Sequence, residues 1–344
     1  MNLLRMTEAG FWCEAGGFHV DPWRPVERAL ITHAHGDHAR VGNASYLAAS
    51  AGLPLLRARL GADARIETLR YGETRRIGEV EVSFHPAGHV LGSAQIRLRH
   101  EKGIEVVSGD YKLAPDPTCA PFEPLACDCF VTESTFGLPI YRWDDPRATL
   151  RAMLAWWDDN RAAGRASVLF AYALGKAQRV LCGLCDIADP LPGPVYTHGA
   201  VERINEAYRE AGVVLPATAR VATAPQGTRW AQALIVAPPS ARGTRWLDRF
   251  HPCSTAFASG WMAIRGTRRR ASLDRGFALS DHADWPALNA AVEASGAQRV
   301  LVTHGYRDEF TRWLREQGRA AEPVETRFEG ETLEAPGGEE AGSE

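Results

Sequence analysis

Lysine is nearly missing from this chain: it occurs only at 102, 112 and 176, so almost all of the 39 basic residues are arginine. A forked guanidinium suits phosphate, but a GC-rich coding sequence gives the same bias, and that plainer account is preferred. A large charge of either sign is also absent. The net charge of −3 excludes the global basic footprint of a protein that coats nucleic acid, though not a local groove. No apolar run approaches the length of a membrane span. Met1-Asn2-Leu3-Leu4-Arg5 has no apolar stretch of signal-peptide length, so the expectation is a cytoplasmic protein with no membrane partner. Seven cysteines, an odd number scattered among apolar neighbours, make a poor disulfide framework. Cys182-Gly183-Leu184-Cys185 has CxxC spacing but no second pair and falls in an expected helix, which argues against a zinc or redox role. There are no internal repeats. Apolar residues at 45% and charged residues at 24% are those of a globular protein, long enough for two domains or for one with a large insertion.

What is present is concentrated. Thr32-His33-Ala34-His35-Gly36-Asp37-His38 follows the apolar run Ala29-Leu30-Ile31 and holds three of the 11 histidines beside an aspartate. This reads as a buried strand opening into a ligand-rich loop. Neutral imidazoles with a carboxylate suit zinc and its first-row neighbours. His33 and His35 alternate and can reach one metal; Asp37 and His38, further round the turn, can reach a second.

The same pattern recurs along the chain. Residues 1–137 alternate short apolar runs with Gly/Pro turns, and strands are expected at Arg28–Thr32, Glu79–Phe84, Gln95–Leu98, Ile104–Ser108 and Cys129–Thr132. His89, Asp110 and Glu133 follow or end such strands, as in layered α/β folds whose sites gather at strand exits. Gly88 and Gly92 flank His89 and permit close backbone approach. Asp110 follows Val107-Ser108-Gly109, and its two oxygens can bridge two metals. The texture changes over 138–277, with few ligand-type residues. Helices are expected at 145–164, capped by Asp144 or Asp145 with Pro146 in the first turn, at 175–187 and at 201–211. Strands are expected at 166–172, 194–197 and 233–237. This span reads as an inserted α/β lobe. Over 278–330 the first texture returns, with Ser280-Asp281-His282-Ala283-Asp284 and Thr303-His304-Gly305 after apolar runs. The Gly- and acid-rich 331–344 reads as a disordered tail.

Taken together, His33-x-His35-x-Asp37-His38, His89 and Asp110 resemble the metallo-β-lactamase superfamily, and Asp21 resembles its early supporting aspartate. Val131-Thr132-Glu133-Ser134-Thr135-Phe136, Ser280-Asp281-His282-Ala283-Asp284 and Val302-Thr303-His304-Gly305 resemble motifs A, B and C of the β-CASP nucleases, and Phe170–Gln178 resembles the strand–turn–helix of their insertion. The nearest likeness is to the compact bacterial ligase-associated DNA exonucleases. The resemblance implies an α/β fold, a metallo-β-lactamase αββα sandwich with an inserted β-CASP domain. It implies two divalent ions, Zn2+ with Mn2+ as the alternative. His33, His35, His89 and Asp110 would hold the first, and Asp37, His38, Asp110 and His304 the second. His282 would be the general acid with Glu133 orienting it, and Asp37 would share in catalysis.

That chemistry fits a phosphodiester, which repels nucleophiles and has a poor leaving group. Two metals roughly 3.5–4 Å apart activate water and neutralise charge, while a carboxylate-backed histidine protonates the departing oxygen. The expectation is a DNA exonuclease acting on single-stranded ends in DNA repair, in a pathway with an ATP-dependent DNA ligase and a helicase. RNA processing is the alternative, because Artemis-type DNA nucleases usually lack the motif C histidine that His304 supplies; the lack of the long extensions of ribonuclease J points back to DNA. A small-molecule hydrolase is a weaker rival. Ser134, Lys176, Arg268, Arg269 and Arg270, with Arg265 in the same basic cluster, are the candidate substrate contacts. Trp261 and His198 read as packing and strand-end residues.

Overall fold

The computed structural model describes residues 3–264 and 273–328. Arg265, Arg268, Arg269, Arg270 and the acidic tail lie outside them. The described chain forms two compact units. One holds the residues up to Arg142 and from His282 onward; the other is Trp143–Asp281.

The first unit begins with β1 (Leu4–Thr7), β2 (Gly10–Cys13), β3 (Phe18–Val20), β4 (Ala29–Ile31), β5 (Tyr46–Ala49), helix α1 (Leu53–Leu60) and β6 (Ile66–Leu69). These six strands lie in chain order in one sheet. Next come β7 (Thr74–Ile77), β8 (Val80–Pro86), β9 (Ala94–His100), β10 (Gly103–Val107) and β11 (Cys129–Ser134). The second unit contributes α2 (Pro146–Ala162), β12 (Ala166–Phe170), α3 (Lys176–Ile187), β13 (Val195–Thr197), α4 (Gly199–Glu210), β14 (Thr218–Arg220), β15 (Leu234–Ala237), β16 (Cys253–Ala258) and β17 (Arg275–Phe277). The first unit then resumes with α5 (Trp285–Ser295), β18 (Arg299–Gly305), α6 (Arg307–Glu316) and β19 (Ala320–Pro323). Its second sheet runs β19-β18-β11-β10-β9-β8-β7, parallel from β19 to β10 and antiparallel beyond.

Side-chain alternation explains why this sheet is apolar on both faces. Val131, Val82, Phe84 and Ile96 point one way and meet Phe11, Phe18, Leu30 and Leu47 of the first sheet in a common core. Phe130, Val106, Val300 and Val302 point the other way and are covered by Leu288 and Val292 of α5 and Phe310 and Leu314 of α6. Thus β10, β11 and β18 are buried between layers, and their ends can hold side chains still.

The second unit is a six-stranded, all-parallel sheet in the order β14-β13-β15-β12-β16-β17. Leu150, Met153 and Trp157 of α2 and Val180, Leu181 and Leu184 of α3 cover one face. Phe250, Trp230 and Trp246, carried on short turns, pack against the other. The cap of α2 is Asp145, whose side chain accepts from the Arg147 amide with Pro146 next in the first turn. The expected strand 166–172 stops at Phe170, because the chain turns through Gly175 at φ +92° to start α3. No helix among the described residues is long and apolar enough to cross a membrane, and no disulfide joins the cysteines.

Candidate metal centre

The ligand-type residues of the first unit converge. The loop after β4 brings His33 and His35 together, and the turn after β8 brings His89 to them. His35 Nδ1 lies 3.1 Å from both His33 Nε2 and His89 Nε2. Asp110 Oδ2, from the loop after β10, lies 3.5 Å from His33 Nε2 and 3.8 Å from His89 Nε2. Donors bonded tetrahedrally to one zinc at its usual bond lengths are about 3.3 Å apart, so these separations are those of four ligands facing a common ion. His33, His89 and Asp110 are buried, and His35 is half-buried.

Local contacts explain the placement. The Ser93 hydroxyl accepts from the amides of His89 and Val90, closing the turn that presents His89. Gly109 sits at φ +58°, and a Cβ there would lie 2.6 Å from Thr32 Cβ. Only glycine lets the Asp110 loop pass so close to the first histidine loop. Asp21, itself at φ +43°, accepts from the Thr32 amide at 2.8 Å and from the Thr32 hydroxyl at 2.5 Å. Its Oδ2 also lies 2.8 Å from His38 Nδ1. A carboxylate there accepts a hydrogen bond from Nδ1–H and turns Nε2 inward.

That Nε2 is buried and makes no hydrogen bond. It faces Asp37 Oδ2 and Asp110 Oδ2, each at 3.7 Å. The other Asp110 oxygen, Oδ1, is 3.2 Å from His304 Nε2. Burial lowers the His38 pKa, but Asp37, Asp110 and Asp21 outweigh it and push it up to about 10. The same three carboxylates that favour a proton at this spot favour a metal cation. Asp37 and Asp110 are shifted the opposite way: burial raises both, and the facing histidines bring them below the usual carboxylate range. His89 falls well below its ordinary value, through burial first and then neighbouring histidines, and is therefore a neutral donor. A buried nitrogen without a partner, a neutral imidazole at His89 and crowded carboxylates all fit a divalent-cation centre.

Glu133 and His282 stand beside this cluster. Glu133 Oε2 lies 2.9 Å from His282 Nδ1 and accepts from the Thr135 hydroxyl, while Oε1 accepts from the Tyr111 amide. Asp110, Glu133 and His282 could themselves offer three donors to an ion. With both its oxygens already engaged, Glu133 is better suited to orienting the imidazole. The Ala283 amide donates to the Tyr111 carbonyl at 2.7 Å, which fastens His282 to the Asp110 loop. The His89 and His282 rings are 4.6 Å apart.

A register shift that sequence reading missed aims two of these side chains. The β11–β18 pairing slips between Thr132↔Val302 and Ser134↔Gly305, so Thr303 and His304 together oppose Glu133. Such bulges redirect side chains and are rare between parallel strands. The Ser134 hydroxyl donates to the carbonyls of Thr303 and His304, fastening the bulge. Buried there, Ser134 is a strand contact and not the substrate contact its motif suggested. Lys176 also departs from expectation. Its side chain is fully buried in the second unit with Nζ 3.0 Å from Asp281 Oδ2, and Arg179 reaches Asp281 and the Ser280 carbonyl. A buried ammonium needs a counter-charge, and Asp281 takes the place expected for a phosphate. His198 caps α4, accepting from the Ala200 amide, and its ring meets Trp246. Trp261 packs, half-buried, against the core of the second unit.

Comparison with known proteins gives this arrangement a lineage. The chain is 32% identical over 320 residues to a probable DNA ligase of Opitutus terrae, covering 92% of this chain and 30% of that one. It is 30% identical over 159 residues to the transcription termination factor FttA of Pyrococcus abyssi, 42% of this chain and 24% of the factor. It is 29% identical over 211 residues to a ribonuclease of Thermus thermophilus, 52% of this chain and 47% of the ribonuclease. The chain belongs to the β-CASP family of the metallo-β-lactamase superfamily. It spans less than half the length of each of these relatives. No family profile matches it. A solved structure from Enterococcus faecalis V583, described as a protein of unknown function, shares the fold with a TM-score of 0.57 at 12% identity, over 82% of this chain and 76% of that one.

Proposed function

We propose that this β-CASP protein hydrolyses phosphodiester bonds of DNA as an exonuclease on single-stranded ends, with Trp143–Asp281 as the β-CASP domain inserted into a metallo-β-lactamase sandwich. The observation that carries the reading is the pairing of a cation-ready donor cluster with an oriented histidine–carboxylate couple on its flank. His33, His35, His89 and Asp110 are assigned to one divalent ion, and Asp37, His38, Asp110 and His304 to a second. Zinc suits the imidazole-rich set best, and manganese is the alternative. Such ions, when bound, lower the pKa of water and neutralise phosphate charge.

The chain's own residues do the remaining work. Glu133 accepts a hydrogen bond from Nδ1–H of His282, fixes the ring and stabilises its protonated form, so that Nε2 can deliver a proton to the departing oxygen. The Thr135 hydroxyl and Tyr111 amide hold Glu133 still. Asp21 holds His38 in the tautomer that keeps Nε2 inward. A poor alkoxide leaving group gains most from this proton.

The alignment to a protein named a probable DNA ligase supports DNA as the substrate and a setting beside a ligase; the helicase and the role in end repair are proposed from the motif resemblance alone. RNA is the second reading, favoured by His304 at motif C and by the ribonuclease of Thermus thermophilus. The deciding experiment is a side-by-side digestion of 5′- and 3′-labelled single-stranded DNA and RNA of one sequence. A stepwise ladder from one DNA end is expected. Dominant cleavage of RNA would replace the DNA reading, and no cleavage of either would end the nuclease reading.

A further inference from the structure

The two halves of the metal centre are supported differently. The first set of donors is fixed by loops that return directly to strands. The second depends on a residue far along the chain. After β19 the Val324 amide donates to the Val302 carbonyl, and Arg40 Nη2 reaches the Arg327 carbonyl at 3.4 Å. This lays the segment back over the site. Phe328 then stacks on His38 at 4.2 Å between ring centroids and 15° between planes. It also meets the His304 ring edge-on at 5.7 Å and the Trp23 ring at 5.8 Å. Phe328, His38, His304, Asp21 and Glu133 all line one small recess of about 10 Å³, about the space of a single water.

We infer that Phe328 is a positioning residue for the second metal, stacking on His38 and walling off His304 so that these two imidazoles keep one orientation. The inference rests on the two-cation reading proposed above. Asp21 fixes His38 by one hydrogen bond at Nδ1, which still allows the ring to rock about that bond. A flat ring stacked on its face removes that freedom. His304, on the bulge, needs the same lateral support. Among the described residues the Phe328 ring meets His38, His304 and Trp23 and none of His33, His35 or His89, so loss of the ring should affect one ion and spare the other. Partners outside the ligand set commonly change metal affinity by about 10–100-fold.

The test is titration of the metal-free protein with Zn2+ against a competing chelator, with ions per chain and both affinities as readouts. Wild type should take up two ions. Phe328→Ala should hold the first with unchanged affinity and bind the second about 10–100-fold more weakly. Phe328→Tyr, which keeps the flat face, should restore the second site. Phe328→Leu, which keeps apolar volume without the face, should resemble Ala in metal affinity while its metal-free unfolding midpoint stays near wild type. Unchanged second-site affinity in Phe328→Ala, or wild-type affinity in Phe328→Leu, would overturn the inference. A wild type that binds two ions yet cuts no polynucleotide would sink the proposed function and leave the role of Phe328 intact. A wild type that binds one ion or none would sink the role of Phe328 with the two-cation reading.

Discussion

At the residue scale, His282 and Asp110 carry different loads, and substitution separates them. His282 meets Glu133 through Nδ1 at 2.9 Å and is assigned no metal. His282→Ala should therefore keep both ions and lose about 10²–10⁴-fold in rate on DNA. The loss should be much smaller on a p-nitrophenyl phosphodiester, whose leaving group needs no proton. Equal losses on both substrates would remove His282 from the acid role. Asp110 faces His33, His38, His89 and His304 with its two oxygens. Asp110→Ala should lower the ions held per chain as well as abolish cleavage, measured by metal analysis after desalting. Retention of two ions would contradict a bridging role.

At the scale of elements, the fixed points are strand ends. The Asp110 loop follows β10, Glu133 is the next-to-last residue of β11 and His304 lies near the end of β18, three neighbouring parallel strands buried between layers. The second unit has its own polar anchor at α4. Glu202 accepts from the hydroxyls of Thr197 and Thr218, from Asn205 and from Arg209, tying α4 to β13 and β14. Burial raises its pKa, but these four partners bring it below the ordinary glutamate value. An acid depressed in the folded state stabilises above its unfolded pKa and loses that contribution as the pH falls through the folded one. Glu202→Ala should cost about 1.5–3 kcal/mol near neutral pH. The gap to wild type should close as the medium is acidified below the ordinary glutamate range. Urea titrations across that range check the sign, and a gap that widens with acid would refute it.

At the scale of the whole molecule, the assigned ligands come from loops of both sheets of the first unit: after β4 in one sheet, and after β8 and β10 and near the end of β18 in the other. Ions held there cross-link the layers and bind only the folded state. Chelation should therefore lower the unfolding transition of this unit by the linkage energy, on the order of 3–4 kcal/mol when metal exceeds its dissociation constant by several hundredfold. The second unit carries none of the assigned ligands and should melt unchanged. Scanning calorimetry with and without chelator distinguishes the two, and coincident shifts would argue against a metal centre confined to the first unit.

The sequence by itself determined the chemistry of the donors and much of the layering. Clustered histidines after an apolar run mark a strand exit, because only a buried strand followed by a loop gives that contrast over so few residues. The apolar runs of β10, β11 and β18, the Asp–Pro start of α2 and the alternating α/β texture over 138–277 were legible for the same local reason. Tertiary structure decided what depends on distance between chain-remote atoms. The bulge that opposes Glu133 with Thr303 and His304 is a register choice, and no residue type announces it between two equally apolar strands. Lys176 reads as a phosphate ligand until Asp281, over a hundred residues away, lies beside it in the fold. Phe328 looks like an ordinary aromatic after the last strand, and only the return of that segment across β18 sets it on His38. Local sequence fixes what a side chain can do, and packing fixes which partner it meets.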